Sequence, residues 1–156
     1  MNIKKTSTDR WELKTKKSVV LLGETIGIDS FTIPGPGEYE VAGIEAEVSK
    51  GIYCFDVEDM MIVYIAKDKK DFSADELKKL ADCDILFIPV AGAETMQIKE
   101  ALSVISNIEP SVVIPTYYDN LDEFSKSEGT NIEEIAELKI NKDDIVADQR
   151  KVYILQ

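Results

Sequence analysis

The sequence predicts a single α/β (α+β) domain, β-rich over its first two-fifths and built from alternating strands and helices after that. Three observations carry this expectation. Short stretches of alternating apolar and polar residues, punctuated by glycine and proline, fill residues 11–66. Two continuous apolar runs, Asp84–Val90 and Val112–Pro115, have the composition of strands covered on both faces. Around them lie segments of helical periodicity with explicit capping residues. Strands followed by βαβ units predict sheets packed face to face with helices outside. A chain of 156 residues is long enough for one real core, and no repeat, linker or low-complexity tract divides 1–156.

The β-rich part starts at Trp11-Glu12-Leu13-Lys14-Thr15, which alternates, and continues through the short apolar run Ser18–Leu22, broken by Gly23 and Gly27. Phe31-Thr32-Ile33 runs into Pro34-Gly35-Pro36-Gly37, a strong turn signal. Its two prolines remove backbone donors, so it is a turn and not a phosphate cradle. Glu38–Val48 alternates with a phase slip at Gly43, the pattern of a bulge. Ile52–Val57 and Met60–Ala66 predict a hairpin across Glu58-Asp59.

The second part opens with a capping box, Ser73-Ala74-Asp75-Glu76, whose serine hydroxyl and glutamate carboxylate satisfy each other's free amides. Met96, Ile98, Ala101, Leu102, Ile105 and Ile108 mark an amphipathic helix that stops before Pro110. Leu121–Glu128 predicts a short helix ended by Gly129, a residue suited to a left-handed cap. Leu138–Ile140 and Val152–Leu155 predict closing strands.

Composition excludes several functions. The chain carries 30 acidic and 18 basic residues, a net charge of -12, with no basic stripe, so nucleic-acid binding is not expected. No apolar run would span a bilayer, and Met1–Arg10 is basic without an apolar stretch behind it. A cytoplasmic protein without membrane contact is expected. Cys54 and Cys83 form no Cys-x-x-Cys pair and sit in apolar segments, as reduced core thiols do, although sequence leaves a disulfide open. There is no histidine at all. That removes Ser-His, Cys-His and histidine-zinc chemistry together. The acidic groups Asp119/Asp122/Glu123, Glu133/Glu134/Glu137 and Asp143/Asp144/Asp148 match no calcium loop and read as solvated faces.

Three stretches carry a resemblance to a known family. They are Ile33-Pro34-Gly35-Pro36-Gly37-Glu38-Tyr39-Glu40-Val41-Ala42-Gly43, Asp84-Ile85-Leu86-Phe87-Ile88-Pro89-Val90-Ala91-Gly92 and Glu109-Pro110-Ser111-Val112-Val113-Ile114-Pro115. In this order and spacing they resemble the metallo-β-lactamase-fold hydrolases of the branch related to ascorbate-phosphate lactonase, from Met1 to Leu155. The resemblance implies a reduced αββα metallo-β-lactamase-like sandwich.

Family members hold one or two metal ions with a His-x-His-x-Asp-His loop, and the resemblance implies that this chain has lost it. Ser18–Thr25 resembles the strand before the loop, then the sequence passes almost directly to Phe31, so the ligand-loop region is apparently deleted between about 25 and 31. The family's aspartate at the end of that strand falls on Gly23. Its His-Leu-Gly-Asp segment reads Tyr64-Ile65-Ala66-Lys67, with Asp68 one residue late. Its Pro-Met-His-Tyr reads Pro115-Thr116-Tyr117-Tyr118, and its aspartate after Thr-Met reads Gln97. A hydrolytic metal needs several fixed donors and supplies an activated water. Without them no catalytic residue, metal or cofactor is expected. Tyr64, Lys67, Asp68, Gln97, Tyr117 and Tyr118 are candidates for a remnant pocket, the plainer alternative being packing and surface residues left after the site decayed. Lys67 in the metal's place would repel a cation, or stand in for its charge among neighbouring carboxylates.

The expected function is therefore that of a non-catalytic relative, a pseudoenzyme acting as an interaction or structural protein. Two alternatives remain: a metal-dependent hydrolase with an altered carboxylate site, and a module binding a small anionic metabolite in the remnant pocket. Losing a strand and helix should leave sheet edge or apolar surface bare. That predicts a homodimer or a protein partner on the first half, between Trp11 and Thr32.

Overall fold

A computed structural model describes residues 1–129 and 132–156 of the chain. The first five strands are β1 (Asn2–Ser7), β2 (Arg10–Lys14), β3 (Val19–Gly23), β4 (Gly27–Ile28) and β5 (Phe31–Thr32). They pair antiparallel in sequence order, and β13 (Glu137–Lys139) joins from the far end of the chain, giving a six-stranded sheet of order β13-β1-β2-β3-β4-β5. The antiparallel run β6 (Gly37–Val41), β7 (Ile44–Ser49), β8 (Ile52–Val57) and β9 (Met60–Ile65) forms half of a second sheet. Its parallel half comes from β10 (Ile85–Pro89), β11 (Val112–Thr116), β12 (Ile132–Ile135) and β14 (Lys151–Leu155). The eight strands run β12-β14-β11-β10-β9-β8-β7-β6.

Alternation sets the layers. Trp11, Leu13, Val20, Leu22 and Ile28 of the six-stranded sheet meet Ile44, Phe55, Ile62, Tyr64, Phe87 and Ile114 of the other in one buried cluster. The intervening residues Val63, Ile65, Leu86, Ile88 and Val113 point the opposite way, into a second cluster with the helices. That is why Ile85–Pro89 and Val112–Pro115 are apolar throughout: both faces are covered. The helices are α1 (Ala74–Lys79), α2 (Ile98–Ile108) and α3 (Asp122–Glu128). Among the described residues all three lie on the outer face of the eight-stranded sheet. The sandwich is reduced in this sense: among the described residues one outer helical layer is present and the other is not.

The local signals hold. Ser73 and Glu76 form the reciprocal capping box of α1. Helix α2 buries Ala101, Val104, Ile105 and Ile108, at i, i+3, i+4 and i+7, and stops at Glu109 ahead of Pro110. Gly129 caps α3 at φ 61°. Glu58 and Asp59, at φ 51° and 64°, make the two-residue turn between β8 and β9.

Four details differ. Gly43 is not a bulge; Ala42 and Gly43, at φ 52° and 77°, are the two central residues of a tight turn between β6 and β7. Asn2–Ser7, read only as a basic start, is strand β1. Ile132–Ile135, which contains part of an acidic group, is edge strand β12. Residues 25–31 contain β4, whose hairpin with β5 buries Ile26 and Ile28. This small hairpin ends the six-stranded sheet. Between Trp11 and Thr32 the exposed large apolar side chain is Phe31, at 39 %, and Val19 and Leu21 are half-buried. Cys83 is buried and Cys54 half-buried, both as free thiols, and burial pushes the Cys54 thiol up to about 11. No helix among the described residues is long and apolar enough to cross a membrane.

Candidate functional site

The remnant-pocket candidates lie at the ends of the central strands. Tyr64, near the end of β9, is fully buried between the sheets, under Trp11 and Phe87 with ring centroids 6.4 Å from each. Tyr117 follows β11 directly, at φ 51°, a left-handed value uncommon for a side chain of that size. The kink turns its ring toward Trp11, centroid to centroid 5.5 Å, and brings the two phenol oxygens within 2.5 Å of each other. Either hydroxyl can be the donor. The Tyr64 hydroxyl also lies 3.4 Å from the carbonyl of Gly23 at the end of β3. Three strand ends are thus tied at one point.

The phenol pair forms the inner wall of a cavity of about 580 Å³ whose rim carries Asp9, Arg10, Glu24, Lys67 and Asp68. Tyr53 completes the aromatic wall, 6.0 Å from Tyr64. Burial raises all three phenols above their usual range. For Tyr64 the bond to Tyr117 adds to the burial; for Tyr117 that bond works against it, and Asp9 and Glu24 reinforce it. All three stay neutral at neutral pH.

Four of the six sequence candidates, Tyr64, Lys67, Asp68 and Tyr117, line this one cavity. Tyr118 points the other way, under the Lys5 ammonium at 5.6 Å, and lines an adjoining depression with Asp119. Gln97 belongs to neither. It precedes α2, its amide N–H donating to Glu100, and lines a separate depression with Thr95 and Asn120. Sequence order matched Gln97 to the site, but the turn over 92–95 carries it away.

Lys67 is 47 % exposed; its ammonium is 5.7 Å from the Tyr117 ring centre and 3.8 Å from the exposed Glu94. It is not sunk among carboxylates as a stand-in for an ion. Lys67→Met is accordingly expected to change stability by no more than about 0.5 kcal/mol, roughly 1–2 °C in melting temperature. A scanning calorimetry shift several times larger would restore a structural role for the ammonium.

Asp9, Arg10, Glu24 and Tyr53 escaped the sequence reading. For Tyr53 a signal existed: a hairpin turning at Glu58-Asp59 sets Tyr53 opposite Tyr64, as the register shows. Asp9 and Arg10 arrive only because β1 and β2 form a hairpin whose turn sits over the cavity.

Comparison with known proteins agrees with this architecture. The family model described as the beta-lactamase superfamily domain matches residues 5–117, more than two-thirds of the chain. A Thermotoga maritima protein, described as "a putative zn-dependent hydrolase of the metallo-beta-lactamase superfamily", superposes with a TM-score of 0.82 at 17 % identity, covering 100 % of both chains. A metallo hydrolase from the archaeon Ignicoccus hospitalis gives a TM-score of 0.50 at 16 % identity, covering 65 % of this chain and 53 % of its own. At such identities the two structures speak for the fold alone, and the family match speaks for descent: the chain belongs to the beta-lactamase superfamily.

Proposed function

We propose that this chain is a non-catalytic member of the superfamily that acts through binding to other proteins rather than through hydrolysis. The observation that carries this reading is the chemistry of the donor set. Metal ligands must be deprotonated, and the two phenols at the strand ends are neutral, hydrogen-bonded to each other and held that way by burial. The chain has no histidine, and among the described residues no group of three or more Cys, Asp or Glu is placed to hold an ion. Lys67 adds a positive charge beside the cavity. The metal ion that the family implies therefore does not fit these residues.

The test is elemental analysis of untagged protein together with thermal melting in added zinc, manganese and magnesium. The expected result is substoichiometric metal and no saturable rise in melting temperature, since any ligand of the native state must raise it. Stoichiometric metal would overturn the reading and point to carboxylates near Asp68 and Asp119.

One observation supports a second reading, a small-molecule site: the cavity combines an aromatic wall with rim charges of both signs that form no ion pairs with one another. A melting-temperature rise with anionic metabolites that disappears in Lys67→Ala would favour it.

A further inference from the structure

The eight-stranded sheet ends at β6, and among the described residues no strand pairs with the free side of Gly37–Val41. Three features of this edge define what could pair there. On the outer face, which the helices do not reach, Glu38 stands opposite Glu47, and Glu40 stands opposite Glu45, which in turn faces Asp56. Among the described residues none of these five carboxylates has a cation within 4.0 Å. Like charges directly across a ladder cost stability, so this edge carries a local electrostatic cost that an opposite charge would relieve.

On the inner face Tyr39 and Val41 are half-buried, and the Tyr39 ring lies 5.8 Å from that of Phe31. Phe31 is on β5, the edge of the other sheet, and it is one of two large apolar side chains exposed among the described residues. The two sheet edges thus meet at an open seam that is apolar inside and acidic outside.

We propose that the free edge of β6 receives an extended segment of a partner protein as an added strand, with lysine or arginine at alternate positions and apolar residues between them. Strand pairing supplies the backbone hydrogen bonds. The two-residue period then sends every second side chain toward Glu38 and Glu40 and the others over Phe31 and Tyr39. Charge decides the occupant. A second copy pairing through its own β6 would set glutamates against glutamates, which protects the edge from self-association. The same glutamates attract a basic strand. An edge of five residues spans about 17 Å and selects a short segment. The proposal specifies the partner for the binding role above and rests on that reading, but its test is independent of metal content.

The experiment is titration of the full chain, observed by amide NMR, with three peptides: one of eight residues alternating lysine and valine, one with the same residues in two blocks, and the alternating one with every backbone amide methylated. The expected result is shifts centred on Gly37–Val41 with the alternating peptide alone. Replacing Glu38 and Glu40 together by lysine should weaken binding about tenfold, the effect of losing two cross-strand charge pairs. Both positions are exposed, and the variant's circular dichroism should match that of the parent. Equal binding of the block or methylated peptide would reduce the effect to diffuse charge attraction and overturn the proposal. So would shifts elsewhere, no binding at all, or a dimer in light scattering whose interface covers β6. If the peptide binds and metal is also found, the non-catalytic reading falls and the strand site stands; if neither occurs, the reverse holds.

Discussion

Trp11→Ala is expected to lower the unfolding free energy by about 3–5 kcal/mol, the range for removing a fully buried large aromatic. Trp11 is 1 % exposed and touches Tyr64, Phe87 and Tyr117 with ring centroids 5.5–6.4 Å away. With the Tyr64–Gly23 hydrogen bond, it ties the six-stranded sheet to the ends of β9 and β11. Two losses add: the transfer energy of the indole, and the void left among three rings that belong to different strands and cannot close in together. Domains of this kind hold only about 5–15 kcal/mol in total. Denaturant titration should therefore show a much lower midpoint, and the Tyr64–Tyr117 wall should loosen with it. Trp11→Phe keeps an aromatic contact and should recover much of the difference. A midpoint shift worth under about 1 kcal/mol would mean that the site is organised without the other sheet.

Gly23→Asp, which restores the acidic residue that the family resemblance places there, is expected to destabilise by about 2–5 kcal/mol and to recover no metal binding. Gly23 sits at φ 151°, and a Cβ built on it would lie 2.6 Å from the carbonyl oxygen of Asp9. Backbone strain of this type costs about 1–3 kcal/mol. Forcing a neighbouring backbone aside adds a comparable amount. Gly23→Ala should show nearly the whole effect, because the Cβ and not the carboxylate causes it. Thermal melting of the two variants checks this. A stable Gly23→Asp protein that takes up zinc would contradict both the geometry and the non-catalytic reading.

What the sequence conveyed depended on how many faces of an element are buried. Strands β10 and β11, covered on both sides, read as unbroken apolar runs, and α2 carried a full helical stripe. Strand β1 has a single fully buried residue, Ile3, among six, so it left no alternation to detect. Strand β12 is an edge with only half-buried isoleucines, and its Glu133-Glu134 centre read as part of a solvated face. In the candidate site, residues on the same or neighbouring strand ends line one cavity: Tyr64, Lys67, Asp68 and Tyr117. Gln97 was misplaced because it was matched by order along the chain across a turn whose direction no local residue announces. Asp9 and Arg10 depended on a strand that was itself invisible.

The closing partner of β1 lies at the opposite end of the chain, with Ile3 paired to Leu138. A ribosome must therefore pass Lys139 before that edge is covered, while the hairpins between β1 and β9 can assemble as they emerge. Contacts of such sequence separation place refolding on the order of milliseconds to seconds. In that interval the uncovered edge of β1 is a template for unwanted pairing. Lys4, which ends up 3.0 Å from Glu137 across this junction, is a bare charge until its partner arrives. The same lysine that fastens the finished sheet thus guards the unfinished one during synthesis.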